Sequence, residues 1–221
     1  MSYAVPPQRL ERWLARWVDA HGPVERTELR PGHVTFVGAD GASVRCEPPF
    51  PPLAAGTGER AAYEPGPLLD HVARERVVGV LLVRLGGHAA GVFAGRRLVA
   101  SKVGRRLVHG RHRAGGSSQR RFARRREGQA RVALEAASDV AARVLLPYAR
   151  DLDAVALGGD RRALATVLED PRLRVLGPLA AERILDVPDP RLDVLRGTPD
   201  AFLATLMSTE PPSRTSDGGS R

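Results

Sequence analysis

Residues 77–103 read VVGVLLVRLGGHAAGVFAGRRLVASKV, and the fold class turns on this stretch. Three β-rich runs, 77–85, 88–93 and 97–103, follow one another across short breaks, the first at Gly86-Gly87, which predicts an antiparallel meander. A short helix over 69–76 leads into it. Residues 105–109 continue extended, and 110–118 lose all periodicity and carry Gly115 and Gly116, as an exposed loop does. A long helix then runs to about residue 149, because Ala130, Ala133, Leu134, Ala137, Ala141, Val144 and Tyr148 form one stripe of small apolar residues that faces a sheet. Beyond it the pattern predicts a strand over 152–157, a helix over 160–168 capped by Asp160, a strand over 172–176, and helices over 189–196 and 199–207. This alternation indicates an α/β fold, a mixed β-sheet with flanking helices.

The N-terminal part has a different texture. Leu10, Trp13, Leu14, Trp17 and Val18 recur at spacings of three and four, which predicts an amphipathic helix over 7–20 closed by Gly22 and Pro23. Trp13 and Trp17 share that stripe with Leu10 and Leu14, so they read as core rather than as a base-stacking platform. Residues 33–37 and 43–46 flank Ala39-Asp40-Gly41 and predict a β-hairpin. Pro48, Pro49, Pro51, Pro52, Pro65 and Pro67 make 47–67 an irregular connector. The expected organisation is therefore a small helix-hairpin unit with its connector over 1–67, a main domain over 68–207, and a disordered tail over 208–221.

Composition narrows the function. The chain has 221 residues, 43% of them hydrophobic and 27% charged, and its longest apolar runs, such as 77–83, are too short to span a bilayer. No secretory signal is visible, so a cytoplasmic, non-membrane protein is expected. A single cysteine, Cys46, excludes an internal disulfide and a multi-cysteine zinc site. The net charge of +9 is concentrated: between Arg96 and Arg131, twelve Arg and one Lys face one acid, Glu127, a local +12 that leaves −3 for the rest. A field of that size attracts a polyanion, and nucleic acid, ribosomal RNA above all, fits best.

Motifs of the common nucleotide, zinc and serine enzymes are absent. His109 and His112 stand three apart, but among arginines and without a nearby carboxylate, so they suit phosphate contact or solvent better than a metal. What remains is Arg111-His112-Arg113-Ala114-Gly115-Gly116-Ser117-Ser118-Gln119, running into Arg120-Arg121-Phe122-Ala123-Arg124-Arg125-Arg126. Glycines allow close backbone approach to a substrate. Ser117 or Ser118 can cap the following helix, which puts the Gln119 amide among the unpaired donors at its positive end, where negative oxygens bind. Arg120 with Arg124, and Arg121 with Arg125, are like charges at i, i+4, each pair costing about 0.2–0.5 kcal/mol. An external anion such as an RNA backbone converts that repulsion into binding. A merely solvated basic face is the competing reading.

Gly116-Ser117-Ser118-Gln119, preceded by a meander and a basic extended segment and followed by a basic, then apolar, helix, resembles the Gly-x-x-Gln loop of the Vms-like release factors. That family is related to the middle domain of eukaryotic and archaeal peptide-chain release factors. Residues 110–130 are most similar to its short actinobacterial branch of peptidyl-tRNA hydrolases. The resemblance implies a ribonuclease-H-like release-factor domain. It further implies that Gln119 is the essential glutamine and Gly116 the residue opening the motif, with Ser117 and Ser118 between them, and that no metal or cofactor takes part. Its RNA contacts would fall to Arg111, Arg113, Arg120, Arg121, Arg124, Arg125 and Arg126. The implied activity is hydrolysis of the ester joining nascent peptide to tRNA, and the implied partners are the large ribosomal subunit and peptidyl-tRNA, met by a monomer. Ser117 replaces the second glycine of ordinary release factors, and nothing resembles a codon-reading domain, so action independent of stop codons on stalled or split ribosomes is expected. Members of the family are also described as cutting tRNA near its 3′ CCA end. Ester hydrolysis, phosphodiester cleavage and non-enzymatic RNA binding therefore stay open at this level, with the ester favoured.

Overall fold

A computed structural model describes residues 2–84, 87–105 and 118–212, with backbone alone at 2, 105 and 118–127. The strands are β1 (Ser2–Val5), β2 (Val24–Arg30), β3 (His33–Gly38), β4 (Ser43–Glu47), β5 (Gly58–Arg60), β6 (Val77–Arg84), β7 (Gly87–Ala94), β8 (Arg97–Arg105), β9 (Ala154–Gly159), β10 (Ala180–Leu185) and β11 (Thr205–Glu210). The helices are α1 (Pro7–His21), α2 (Gly66–Ala73), α3 (Ser118–Leu145), α4 (Arg161–Leu168) and α5 (Leu192–Gly197). The chain forms two compact units, Met1–Arg74 with Asp200–Arg221, and Glu75–Pro199.

The first unit is built on a six-stranded sheet of order β1-β11-β4-β3-β2-β5, all of whose pairs are antiparallel. The amphipathic stripe of α1 supplies Leu10, Leu14 and Trp17 to a core shared with Val34 and Phe36 of β3, Val44 and Cys46 of β4, and Met207 of β11. Trp13 packs partly buried at its edge, its ring 5.6 Å from that of Tyr3. The β3–β4 turn has Gly41 at φ 81°, and Asp40 accepts from the Ala42 amide at 2.9 Å. Cys46 is fully buried, and desolvation pushes its thiol pKa far up, so thiolate chemistry is suppressed there.

Two readings are corrected in this unit, and three strands are added. The helix expected over 199–207 is a single turn, Pro199–Phe202, followed by strand β11, whose buried Thr205 and Met207 alternate with Leu206 and Ser208 at period two. The first unit accordingly runs to Arg74 and takes back the chain from Asp200, where the sequence suggested a boundary at 67 and a tail from 208. Residues 213–221 of that tail lie outside the described residues. Strands β1, β2 and β5 went unread: β1 and β5 are only 4 and 3 residues long, and β2 slips register between Val24 and Arg26, which breaks its alternation.

The second unit has a five-stranded sheet of order β10-β9-β6-β7-β8. The meander β6-β7-β8 is antiparallel, while β9 runs parallel to β6 and β10 parallel to β9. The chain therefore grows to one side of β6, crosses by α3, and grows to the other, giving the mixed α/β sheet with flanking helices. Ala137, Ala141, Val144 and Leu145 of α3 and Leu164 and Val167 of α4 share a core with Leu81, Val83, Ala90, Val92, Val155 and Leu157 of the sheet. Helix α5 packs against β7 and β8, with Leu195 fully buried.

The strand expected over 172–176 is a 3₁₀ stretch, Pro171–Leu179, and the strand is β10, a few residues later. Leu173 and Leu176 are both fully buried, and a spacing of three matches the three residues per turn of a 3₁₀ helix, not the alternation of a strand. The helix expected over 189–196 begins only at Leu192, after Pro188 and Pro190, which bar the residues before them from helical backbone.

Candidate functional site

Strand β8 carries the chain along one edge of the second sheet to Arg105, and α3 starts at Ser118. Gly116, Ser117, Arg111 and Arg113, with His109 and His112, fall between them, outside the described residues. Ser118 is the first residue of α3 and Gln119 the second, and Arg120, Arg121, Arg124, Arg125 and Arg126 follow on its opening turns. The helix has 28 residues, about 42 Å at 1.5 Å per residue. Its distal half is fixed: Ala137, Ala141, Val144 and Leu145 are buried on the sheet. Anchoring at that end sets the direction of the whole rod, and hence the position of its first turn. The first N–H groups of an α-helix have no intrahelical acceptor, so the amides from Ser118 to Arg120 stand at the positive end of the macrodipole. In the sequence this end lies within the stretch 96–131 that carries the local charge of +12.

A second feature lies on the same face of the sheet. Gly104, His88, Val83 and Gly159 stand in register on β8, β7, β6 and β9, forming a row near the end of the sheet beneath α3 and α4. A Cβ on Gly104 would collide with the His88 imidazole, and one on Gly159, at φ 105°, with the Val83 carbonyl. Gly104 thus leaves the room in which His88 lies, 5% exposed, beside a cleft of ≈260 Å³. Burial lowers the His88 pKa and favours the neutral ring. At the cleft's mouth Asp160 caps α4, its carboxylate accepting from the Ala163 amide at 2.8 Å, and Arg84 donates to the Val187 carbonyl. The Gly158-Gly159-Asp160 turn was visible in the sequence as a strand-to-helix junction. His88 was not, because only the register of β7 brings it there.

A model of the family described as Actinobacteria/chloroflexi VLRF1 release factor matches residues 76–208, well over half of the chain. The chain belongs to this release-factor family. The matched stretch contains the whole of the second sheet, the segment between β8 and α3, and the basic opening of α3. Among solved structures, the chain is similar to an archaeal translation termination factor, aRF1, at 17% identity and a TM-score of 0.44, over 86% of this chain and 68% of that one. It is also similar to Archaeoglobus fulgidus Pelota, at 12% identity and a TM-score of 0.29, over 88% of this chain and 60% of that one. No curated protein matches the sequence.

Proposed function

We propose that this release-factor family member frees nascent peptide from peptidyl-tRNA on stalled or split ribosomes, independently of stop codons, by hydrolysing the peptidyl-tRNA ester. The observation that carries the reading is the position of Gln119: second residue of a long helix with an anchored far end, two serines after the glycines of a cationic segment. Ester hydrolysis passes through an oxyanion. A preset amide donor at that oxygen is worth roughly 2.7–4 kcal/mol in other hydrolases, and helix-start amides are such donors. A glutamine side chain is neutral and too weak a base to deprotonate water. Its part is to orient the water, while hydroxyls of the bound RNA complete the proton path. The arginines of α3 and of the preceding segment neutralise phosphates and hold the register of the large subunit, without reading sequence.

The division of labour makes a sharp expectation. Gln119→Ala lowers peptide release from large subunits carrying peptidyl-tRNA by about 100-fold or more, while binding to those subunits stays within about twofold. Parallel loss of both, read by co-sedimentation beside the release assay, would show that the chain merely grips RNA.

A further inference from the structure

The cleft over His88 is set apart from Gln119 along α3. Ala130, the first α3 residue to line it, lies eleven positions beyond Gln119, about 16 Å along the helix axis. Its place is nevertheless one at which open α/β sheets bind ligands: the carboxyl ends of parallel neighbours, here β6 and β9, where successive connections leave in opposite directions. Its volume of ≈260 Å³ falls just under the roughly 300–1,000 Å³ of pockets for drug-sized ligands, which suits one small ring system.

The lining is specific in kind. Ala133 of α3 and Ala163 of α4 contribute small apolar walls, Val83 is a further apolar lining residue, His88 is the buried polar group, and the exposed Arg84, Asp160 and Arg162 also line the cleft. No described residue hydrogen-bonds the His88 ring. A neutral imidazole carries one donor and one acceptor. An aliphatic side chain seated here would leave both unmet, at about 1–3 kcal/mol for a buried polar group. A flat heteroaromatic ring meets the walls with its faces and the imidazole with its edge. On the same helix, Arg124, Arg125 and Arg126 precede Ala130 by one to two turns, so a polyanion that follows the basic opening of α3 passes the cleft.

We propose that the cleft seats a single unpaired nucleobase of RNA, stacked between the alanine walls of α3 and α4 and hydrogen-bonded at its edge by His88. This deepens the proposed function and rests on its claim that the chain works on RNA, since it gives the protein a second hold on the strand, away from the reacting end.

The test titrates the full chain with AMP and with CMP while recording the imidazole nitrogen correlations of His88. The expected result is a saturable shift from at least one nucleotide, absent with inorganic phosphate alone. Ala133→Phe and Thr166→Phe, which fill the cleft from α3 and from α4, are each expected to weaken that binding at least tenfold. The two variants stand on different helices, and the titration of the unaltered chain is informative even if one of them misfolds. No His88 shift from either nucleotide, in protein that still binds large subunits, overturns the cleft assignment and leaves the release reading standing. Equal shifts from inorganic phosphate, shifts that neither folded variant weakens, or shifts from N-acetyl-tryptophanamide alone overturn it too. Failure to bind large subunits with a normal nucleotide titration strikes the release reading instead.

Discussion

At Gly159 the backbone leaves β9 at φ 105°, with the Val83 carbonyl where a side chain would stand, and the next residue, Asp160, caps α4. Both residues hold one strand-to-helix junction, by different physics, and substitution separates them. Asp160→Ala removes a cap and costs about 0.5–2 kcal/mol. Gly159→Ala imposes a strained dihedral, at about 1–3 kcal/mol, and adds a steric clash with backbone that cannot swing aside, so it is the more damaging change. Urea denaturation of the two variants ranks them, and the opposite order contradicts this account of the junction. The cap was legible in sequence because Asp ahead of an apolar period is a local signal. The packing of His88 over Gly104 was not, because it depends on which residues of β7 and β8 stand opposite each other.

Among the elements, the meander and α3 were readable because each declares its period locally: β-rich runs broken by glycine in one case, a stripe of alanines at helical spacing in the other. The 3₁₀ stretch Pro171–Leu179 was misread because Arg172-Leu173-Arg174-Val175 alternates basic with apolar residues, which mimics a strand as readily as a tight helix. The candidate site belongs to this scale as well, since it is the opening of one helix. Its glutamine and arginines were legible as chemistry, a neutral amide set in a run of arginines, whereas their three-dimensional arrangement depends on where the far end of α3 is anchored. Arg124→Ala and Arg125→Ala are each expected to weaken large-subunit binding and to lower the slope of log affinity against log salt by about 0.7–0.9, one phosphate contact apiece. Binding measured across a salt series checks this, and unchanged slopes remove the phosphate assignment.

For the whole molecule, the unread feature was the return of the C-terminus. Strand β11 lies between β1 and β4, two elements some two hundred and one hundred and sixty positions earlier in the chain. Pairing over such separations leaves no local signature; the alternation of Thr205 and Met207 with Leu206 and Ser208 was its only trace. A chain ending at Pro199 leaves β1 without its partner and the inner edge of β4 bare. The Gly38 amide bonds the Ala42 carbonyl, so at period two the amides of Val44 and Cys46 point to β3 and those of Arg45 and Glu47 to β11. Hydrogen exchange in that truncated chain is therefore expected to show lost protection at Arg45 and Glu47, while the five-stranded sheet of the second unit, which contains no residue beyond Leu185, keeps its own. Protection of β4 equal to that of the full chain would contradict the role given to β11.

The central claim is that Gln119 and the amides around it open an ester. It is tested most directly by giving the protein large subunits that carry labelled peptidyl-tRNA and examining the 3′ end of the tRNA after the peptide is free. The account predicts released peptide and a tRNA that still ends in its intact terminal adenosine. A tRNA shortened within its CCA end would contradict it.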